Sequence, residues 1–408
     1  MANQLQLKFV NFPKGSYIII EGKENADRFF IIRTGKVGIS KELEVVEEQG
    51  GNILGPGDFF GVVSTMSSHS HIETAQALTD VSLISVQRDQ YPQLIQQNAP
   101  VAMKIILQFS RRMRYLDEAL TTLTLKNSSD SDASTLFKVG EYYARKNQYP
   151  QAFYAYNQYV KFNPAGTHVG TARMRMLKIA PYAKGVKLGF RSDEAIRDYP
   201  KDSMIFSEGE SGDELYIINK GSVKIVKIVD DNEVLLAVLK NGDIFGEMAL
   251  LESKPRAACA VAYDDCRLMV VNRANFEQMI GREPQMIARL TTLLSERIWL
   301  IYKQIANTLI SDPLGRMYDA LLTQMGKSRM GLKYNGSFYF DFGPDELVNM
   351  IGLSPAEGKP IIKKLMDSRN FKVVNDRIYV LNSSEITRQA TFYKKMQLRE
   401  QSRQHSPA

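Results

Sequence analysis

Short apolar runs, each closed by Gly, Asp, Asn or Pro, fill the first part of the chain. Tyr17-Ile18-Ile19-Ile20, Phe30-Ile31-Ile32 and Asp58-Phe59-Phe60 are typical. Runs of this length, rich in β-branched and aromatic residues, predict the antiparallel strands of a sandwich or barrel. The period then changes. Ile105, Ile106, Phe109, Met113, Leu116, Leu120 and Leu123 recur mostly at steps of three or four, which predicts a long amphipathic helix. The same succession returns: strand-like runs such as Tyr216-Ile217-Ile218, then a helical stripe at Ile287, Leu290, Leu294, Ile298, Ile301 and Ile305. Stripes this long have apolar surface to offer another helix as well as their own barrel.

The two successions are copies. Pro13-Lys14-Gly15-Ser16 is answered by Pro200-Lys201-Asp202-Ser203, Thr34-Gly35-Lys36-Val37 by Lys220-Gly221-Ser222-Val223, and Gly57-Asp58-Phe59-Phe60-Gly61 by Gly242-Asp243-Ile244-Phe245-Gly246. Between them a polar break, Asn127 to Asp132, precedes a segment of different grammar. Leu136, Val139, Gly140, Tyr143, Ala152, Tyr156 and Pro164 fall at the spacing of a tetratricopeptide repeat, with Tyr159 where that repeat has a small residue. A lone pair of helices cannot bury its own face, so it must pack on a neighbouring element or on a partner protein. Thr171 to Ala183 predicts one further helix.

Composition narrows the function. The 408 residues suffice for two to three domains at roughly 150 residues each. With 44% hydrophobic and 24% charged residues, disorder is excluded. No stretch approaches the ~20 apolar residues of a membrane span, and Met1-Ala2-Asn3-Gln4 opens no leader-like segment, so a cytoplasmic protein is expected. Cys259 and Cys266 are too few for a disulfide scaffold, and four histidines leave little for a metal. No nucleophile, base and orienter set is visible, so neither an enzyme nor a bound cofactor is expected. The net charge of +7 is uneven: residues 1–128 carry 13 basic and 13 acidic side chains, whereas 311–408 carry 15 and 10. A basic terminal region points to a polyanion.

The second copy holds the most specific motif. Gly246-Glu247-Met248-Ala249 is followed nine residues after the Glu by Arg256, with Ala257 behind it. A Gly before a short helical stretch lets backbone N–H groups approach an anion, an Arg can grip a phosphate with two parallel donors, and a Glu can accept from a sugar hydroxyl. This stretch resembles the phosphate-binding cassette of cyclic-nucleotide-binding domains in the catabolite activator family and in cyclic-AMP-dependent kinase. The resemblance implies that Glu247 holds the ribose 2′-hydroxyl and Arg256 the cyclic phosphate. Ala257, where cyclic-GMP-preferring kinase domains tend to carry Thr, favours cyclic AMP over cyclic GMP. Tyr302, on the following helix, stands where relatives contact the purine, though a place in the helix seam fits it equally. In the first copy Val62 replaces Glu247, Ser70 replaces Pro255 and His71 replaces Arg256. That copy is expected to be structural, or to hold a different ligand through His69 or His71.

Ser311-Asp312-Pro313 breaks the second stripe and predicts a hinge. Beyond it come a helix around Leu314 to Leu322, a strand Phe338-Tyr339-Phe340, a helix from Pro344 to Ile351, a turn at Gly352, a capping box of Ser354 with Glu357, and a hairpin around Asn375-Asp376. This order resembles the winged helix-turn-helix of the catabolite activator family. Pro355, Ala356 and Pro360 occupy positions where the family reads bases, and Pro360 should kink or delay its helix. Lys359, Lys363, Lys364, Lys372 and Arg377 remain for double-stranded DNA, better suited to phosphates than to base edges. The expected architecture is α+β and multidomain. Residues 1–126 and 184–310 form two jelly-roll-like β-barrels with long helices, the first degenerate. A helical linker at 127–183, a winged domain at 311–394 and a polar tail at 395–408 complete it. The chain reads as a cyclic-AMP-responsive transcription regulator, or as a ligand-regulated module that binds proteins and not DNA. It works either as a homodimer paired through the second long helices or as an intramolecular pseudo-dimer.

Overall fold

In each copy, alternation along the strands turns one face inward. Val81–Gln87 buries Val81 and Leu83 while Ser82 and Ile84 are only half-buried, the period-two pattern of a strand with one face on a core. The computed structural model describes residues 7–41, 52–125, 134–186, 188–190, 194–229, 232–327 and 336–404. Contacts divide the chain into two units. One comprises Met1–Leu7, Val86–Tyr115 and Ser128–Ser295, and the other Lys8–Ser85, Leu116–Asn127 and Glu296–Ala408.

In the second unit, Lys8–Phe12, Val81–Gln87, Arg28–Thr34 and Phe59–Phe60 form one four-stranded sheet. Tyr17–Ile19, Thr74–Ala77, Val37–Ser40 and Ile53–Leu54 form another. Phe30, Ile32, Val37, Phe60 and Leu83 fill the space between them. In the first unit the same order recurs. Ile196–Tyr199, Cys266–Asn272, Glu214–Lys220 and Ile244–Phe245 form one sheet, and Met204–Phe206, Cys259–Ala262, Val223–Val229 and Asn232–Leu239 the other. The expected closed barrels are therefore open sandwiches. Phe59–Phe60 and Ile244–Phe245 each stop after two residues at a glycine in the left-handed region, Gly61 and Gly246, too short to carry a ladder from one sheet to the next.

Thr135–Arg145 and Tyr149–Phe162 form the helical pair. They approach so closely that a Cβ on Gly140 would lie 2.6 Å from the Tyr156 ring. Their apolar face packs with Met204, Val226, Cys259 and Val261, so the neighbour that a lone pair requires is the sandwich of the same unit. Gln151 Nε2 donates to the Asp202 carbonyl at 2.8 Å and the Tyr143 hydroxyl to Glu233 at 3.0 Å. Tyr159, large where a small residue was expected, fits because its ring tip lies against Gly166 and its hydroxyl accepts from the His168 N–H. The helix expected over Thr171 to Ala183 runs over Val169–Ile179. The polar break at 127–132 lies outside the described residues.

The long helices cover Ala99–Leu125 and Pro284–Thr308. After the latter, Asp312 Oδ1 accepts from the Leu314 N–H at 2.8 Å and starts the helix Pro313–Lys327. Asn307 Nδ2 donates to the Arg316 carbonyl at 2.8 Å and to Asp319 at 3.0 Å. Buried Asp319 also pairs with Lys394 at 2.6 Å. The expected hinge is thus stitched to the helix that follows. Pro344–Met350, a turn at Gly352 and Pro355–Met366 come next, and then the hairpin Phe371–Val374 and Arg377–Val380 with Phe338–Tyr339 as a third strand. Asn375 and Asp376 are both left-handed, as a two-residue hairpin turn requires. Pro355–Met366 starts at Pro355, without the delay that Pro360 could impose, and continues through it. The carbonyl deprived of its donor is that of exposed Ala356, where water can serve. The helix Ser383–Gln404 also crosses the expected start of a tail at 395.

Gly358 fixes how close these two helices lie, because a Cβ there would fall 2.1 Å from Val348 Cγ1. Gly358→Ala is expected to destabilise this part of the chain by about 1–3 kcal/mol despite the higher helix propensity of Ala. Urea unfolding followed by circular dichroism checks it; equal or greater stability contradicts the close approach.

Candidate functional site

The cassette of the first unit begins where the strand Ile244–Phe245 ends. Gly246, at φ 79°, turns the chain into the helix Glu247–Glu252, and Ser253, at φ 55°, turns it out again. Lys254 and Pro255 then lead back to Arg256. Glycine is needed at 246 for its left-handed backbone and for space, since a Cβ would stand 2.7 Å from Arg256 Nη1.

Arg256 lies inside the sandwich, 5% exposed. Its Nη1 donates to the Gly246 carbonyl at 2.5 Å and its Nη2 to the Glu214 carbonyl at 2.8 Å. The guanidinium sits 4.2 Å from the centre of the Phe206 ring and 5.7 Å from that of Tyr216. Its backbone is fixed too: the Arg256 N–H donates to Glu210 O, and the Gly209 N–H to Arg256 O. Nε is buried without a partner. A buried guanidinium donor left unpaired costs about 1–3 kcal/mol or more, so an anion that reached it would be bound with that gain. Glu247 is 2% exposed at the first position of the cassette helix, adjacent to the glycine whose carbonyl Arg256 grips. Gly246, Glu247, Met248, Ala249, Arg256 and Ala257 thus belong to one turn-helix-turn. Tyr302 falls in the other unit, where its hydroxyl donates to Glu21 at 3.2 Å.

Reasoning from sequence missed Gly212. A Cβ there would meet Arg256 Nε at 2.4 Å, so Gly212 makes the room that Arg256 fills. Glu214, whose carbonyl holds Arg256, is fixed in turn by a bidentate pair with Arg197 at 2.7 Å for both bonds. Burial works against its ionised form, but Arg197 and the Tyr216 hydroxyl hold its carboxyl below the ordinary range.

The first copy has the same backbone without the same chemistry. Gly61, at φ 78°, leads into Val62–Ser67, and Ser68 leads out at φ 57°. Val62 and His71 are each 2% exposed. Burial pushes the His71 imidazole below its ordinary value, against the opposing pull of Glu73 and Asp27. A neutral imidazole therefore sits where the other copy holds a permanent cation. The Glu73 carboxylate accepts from the Gly61 N–H at 3.0 Å, which places a negative group at this turn. His69 stacks on Trp299 with ring centres 4.0 Å apart.

On the helix Pro355–Met366, Lys359, Lys363 and Lys364 are exposed, as are Lys372 and Arg377 on the hairpin. Among the described residues no helix is long and apolar enough to cross a membrane, and no three His, Cys, Asp or Glu side chains are placed to hold a metal ion.

The family profile of the cyclic nucleotide-binding domain matches residues 9–98 and 196–283, which are the two sandwiches. A CRP-like cAMP-activated global transcriptional regulator of Mycobacterium tuberculosis is 30% identical over 160 residues, 38% of this chain and 70% of that protein. The cAMP-activated global transcriptional regulator CRP of Pasteurella multocida is 30% identical over 180 residues, 44% of this chain and 86% of that one. Among solved structures, a CooA variant from Carboxydothermus hydrogenoformans aligns with a TM-score of 0.39 at 18% identity, over 48% of this chain and 87% of that one.

Two carboxyls beside the cassette titrate abnormally. Burial raises Glu210, which accepts from the Ser207 N–H and the Tyr154 hydroxyl, to about 7, and raises Glu208 to about 7 against the pull of Lys227. The folded state therefore binds these protons more tightly than the unfolded chain. The stability so contributed is complete below about pH 4.5 and is lost as pH rises through 7. Glu210→Gln, permanently neutral, is expected to gain about 1–3 kcal/mol relative to the parent chain between pH 5 and pH 8. Urea titrations of both proteins across that range check it, and a difference that stays constant or shrinks contradicts it.

Proposed function

The chain belongs to the family of CRP-like proteins, and from that premise we propose that it is a cyclic-AMP-responsive, DNA-binding transcription regulator with one functional nucleotide site. The observation that carries this reading is Arg256. It is a permanent cation held inside the second sandwich by two backbone carbonyls and two rings, with one donor still unpaired beside the Gly246-Glu247 turn. A cyclic phosphate supplies the missing acceptor, and Glu247 accepts from the ribose hydroxyl. Val62 and His71 offer neither contact, so the first copy does not bind a cyclic nucleotide this way. Tyr302, whose hydroxyl donates to Glu21, is assigned no contact with the nucleotide in this reading.

The response leaves the sandwich through Pro284–Thr308. Its end is bonded to the next helix by Asn307, so a displaced long helix moves the C-terminal segment with it. Such coupling requires the ligand to bind the two arrangements with unequal affinity. The segment from Pro313 onward acts as a winged helix-turn-helix. Exposed Lys359, Lys363, Lys364, Lys372 and Arg377 are suited to phosphates, and Pro355, Ala356 and Pro360 provide no bidentate reading of a base. Non-specific attraction therefore makes up an unusually large share of DNA affinity.

Two measurements follow. Calorimetric titration of the full chain with cyclic AMP should lose its binding heat in Arg256→Ala and keep it within about twofold in His71→Ala. Loss of binding in both, or in neither, contradicts the assignment. Affinity for a DNA duplex should fall steeply with salt, and the triple variant Lys359→Ala, Lys363→Ala, Lys364→Ala should flatten that slope by about 2–3. A chain that binds no duplex at low salt, with or without nucleotide, is instead a module that binds proteins.

A further inference from the structure

The two copies are related by contacts that repeat, as well as by sequence. In the first unit, Arg114 on the first copy's long helix reaches the second copy's cassette. Its Nε pairs with Glu252 at 3.0 Å and its Nη1 donates to the Pro255 carbonyl at 3.2 Å, while Ser110 Oγ donates to Glu252 at 2.7 Å. In the second unit, Trp299 on the second copy's long helix reaches the first copy's cassette, where its Nε1 donates to the Ser70 carbonyl at 3.3 Å and its ring stacks on His69. Trp299 stands 185 positions after Arg114, and Pro255 stands 185 after Ser70. The two bonds are therefore one contact made twice, each time from the helix of one copy to the cassette turn of the other.

The surface of the long helices agrees. From Leu290 to Ile310 the second helix exposes only Gln304. Leu294, Ile298 and Ile305, the seam through which a second chain would have to pair, are fully buried. On the first long helix the exposed side chains Lys104, Gln108, Arg111, Glu118 and Thr122, at steps of three, four and seven, form a polar stripe, with Leu123 the one exposed large apolar side chain among its described residues.

We infer that the chain is its own dimer partner. Each copy supplies the helix that clamps the other's cassette, and the degenerate first copy is kept because it provides Arg114 and Ser110 to the copy that binds ligand. Glu252 is the last residue of the six-residue helix that begins with Glu247, so the clamp holds one end of the element whose other end faces the nucleotide. Arg114 is a positioning residue: it touches no ligand and fixes the helix that does. A single chain then presents one set of DNA-facing cations, and it engages one half-site and not a palindrome. The clamp's effect on affinity rests on the nucleotide reading above, whereas the pseudo-dimer stands apart from it.

The test separates the two. Sedimentation of the full chain, with and without cyclic AMP, should give a single species of 46.2 kDa that does not change with protein concentration; a species of twice that mass overturns the pseudo-dimer, whatever the nucleotide does. Calorimetry on clamp variants then asks what Arg114 does. Arg114→Ala should weaken cyclic AMP about tenfold, Arg114→Lys should recover most of that loss, and Trp299→Phe, which alters the clamp on the empty copy, should stay within twofold. Equal losses in all three, or none in Arg114→Ala with the parent chain binding normally, overturn the positioning role. A parent chain of 46.2 kDa that binds no cyclic AMP leaves the pseudo-dimer standing and rejects the nucleotide site alone.

Discussion

The structure turns on a guanidinium kept inside a sandwich. Burying a charge is expensive unless it is paired and hydrogen-bonded, and the hydrogen bonds that hold the Arg256 guanidinium run to backbone carbonyls. Two backbone carbonyls and the face of Phe206 hold it, and two glycines, Gly212 and Gly246, leave it the space. Its surroundings are rigid for reasons of their own. Glu214 is locked by Arg197, Glu210 by Tyr154 from the helical pair, and Glu252 by Arg114 from the other copy's helix. A cation so placed is preorganised, and little conformational freedom remains to be lost when an anion meets it.

The contrast between the copies shows what that arrangement requires. Their backbones agree down to the left-handed glycine before the cassette helix and the left-handed serine after it. What differs is the contents. Where the second copy carries a guanidinium, the first carries a buried imidazole whose neutral form burial favours. On the proposed reading, the same backbone without those side chains points to a structural duty. The reciprocal bonds from Arg114 and Trp299 describe that duty.

Much of this was legible in the chain, for particular physical reasons. Strand, Gly turn, short helix and long helix could be read because each leaves a local mark: alternation, an obligatory left-handed glycine, a three-to-four-residue stripe. Gly246, Glu247 and Arg256 could be read as one motif because they lie within eleven residues of each other. What lay beyond reach was long-range. A stripe states that a helix is amphipathic, not which sandwich it will meet, so Tyr302 was set beside its own copy's pocket when its hydroxyl bonds Glu21 of the other. Open sandwiches looked like barrels because two-residue strands and closed ladders have similar sequences. That the helix continues through Pro360 was out of reach because the exposure of the carbonyl it deprives, at Ala356, belongs to the fold.

The central claim is that one chain holds one occupied sensor and one vacated copy that braces it. Equilibrium dialysis of the intact chain against labelled cyclic AMP tests it most directly, because it counts sites without reference to any variant. The account predicts saturation at one nucleotide per chain. Two per chain, or none at millimolar ligand, contradicts it.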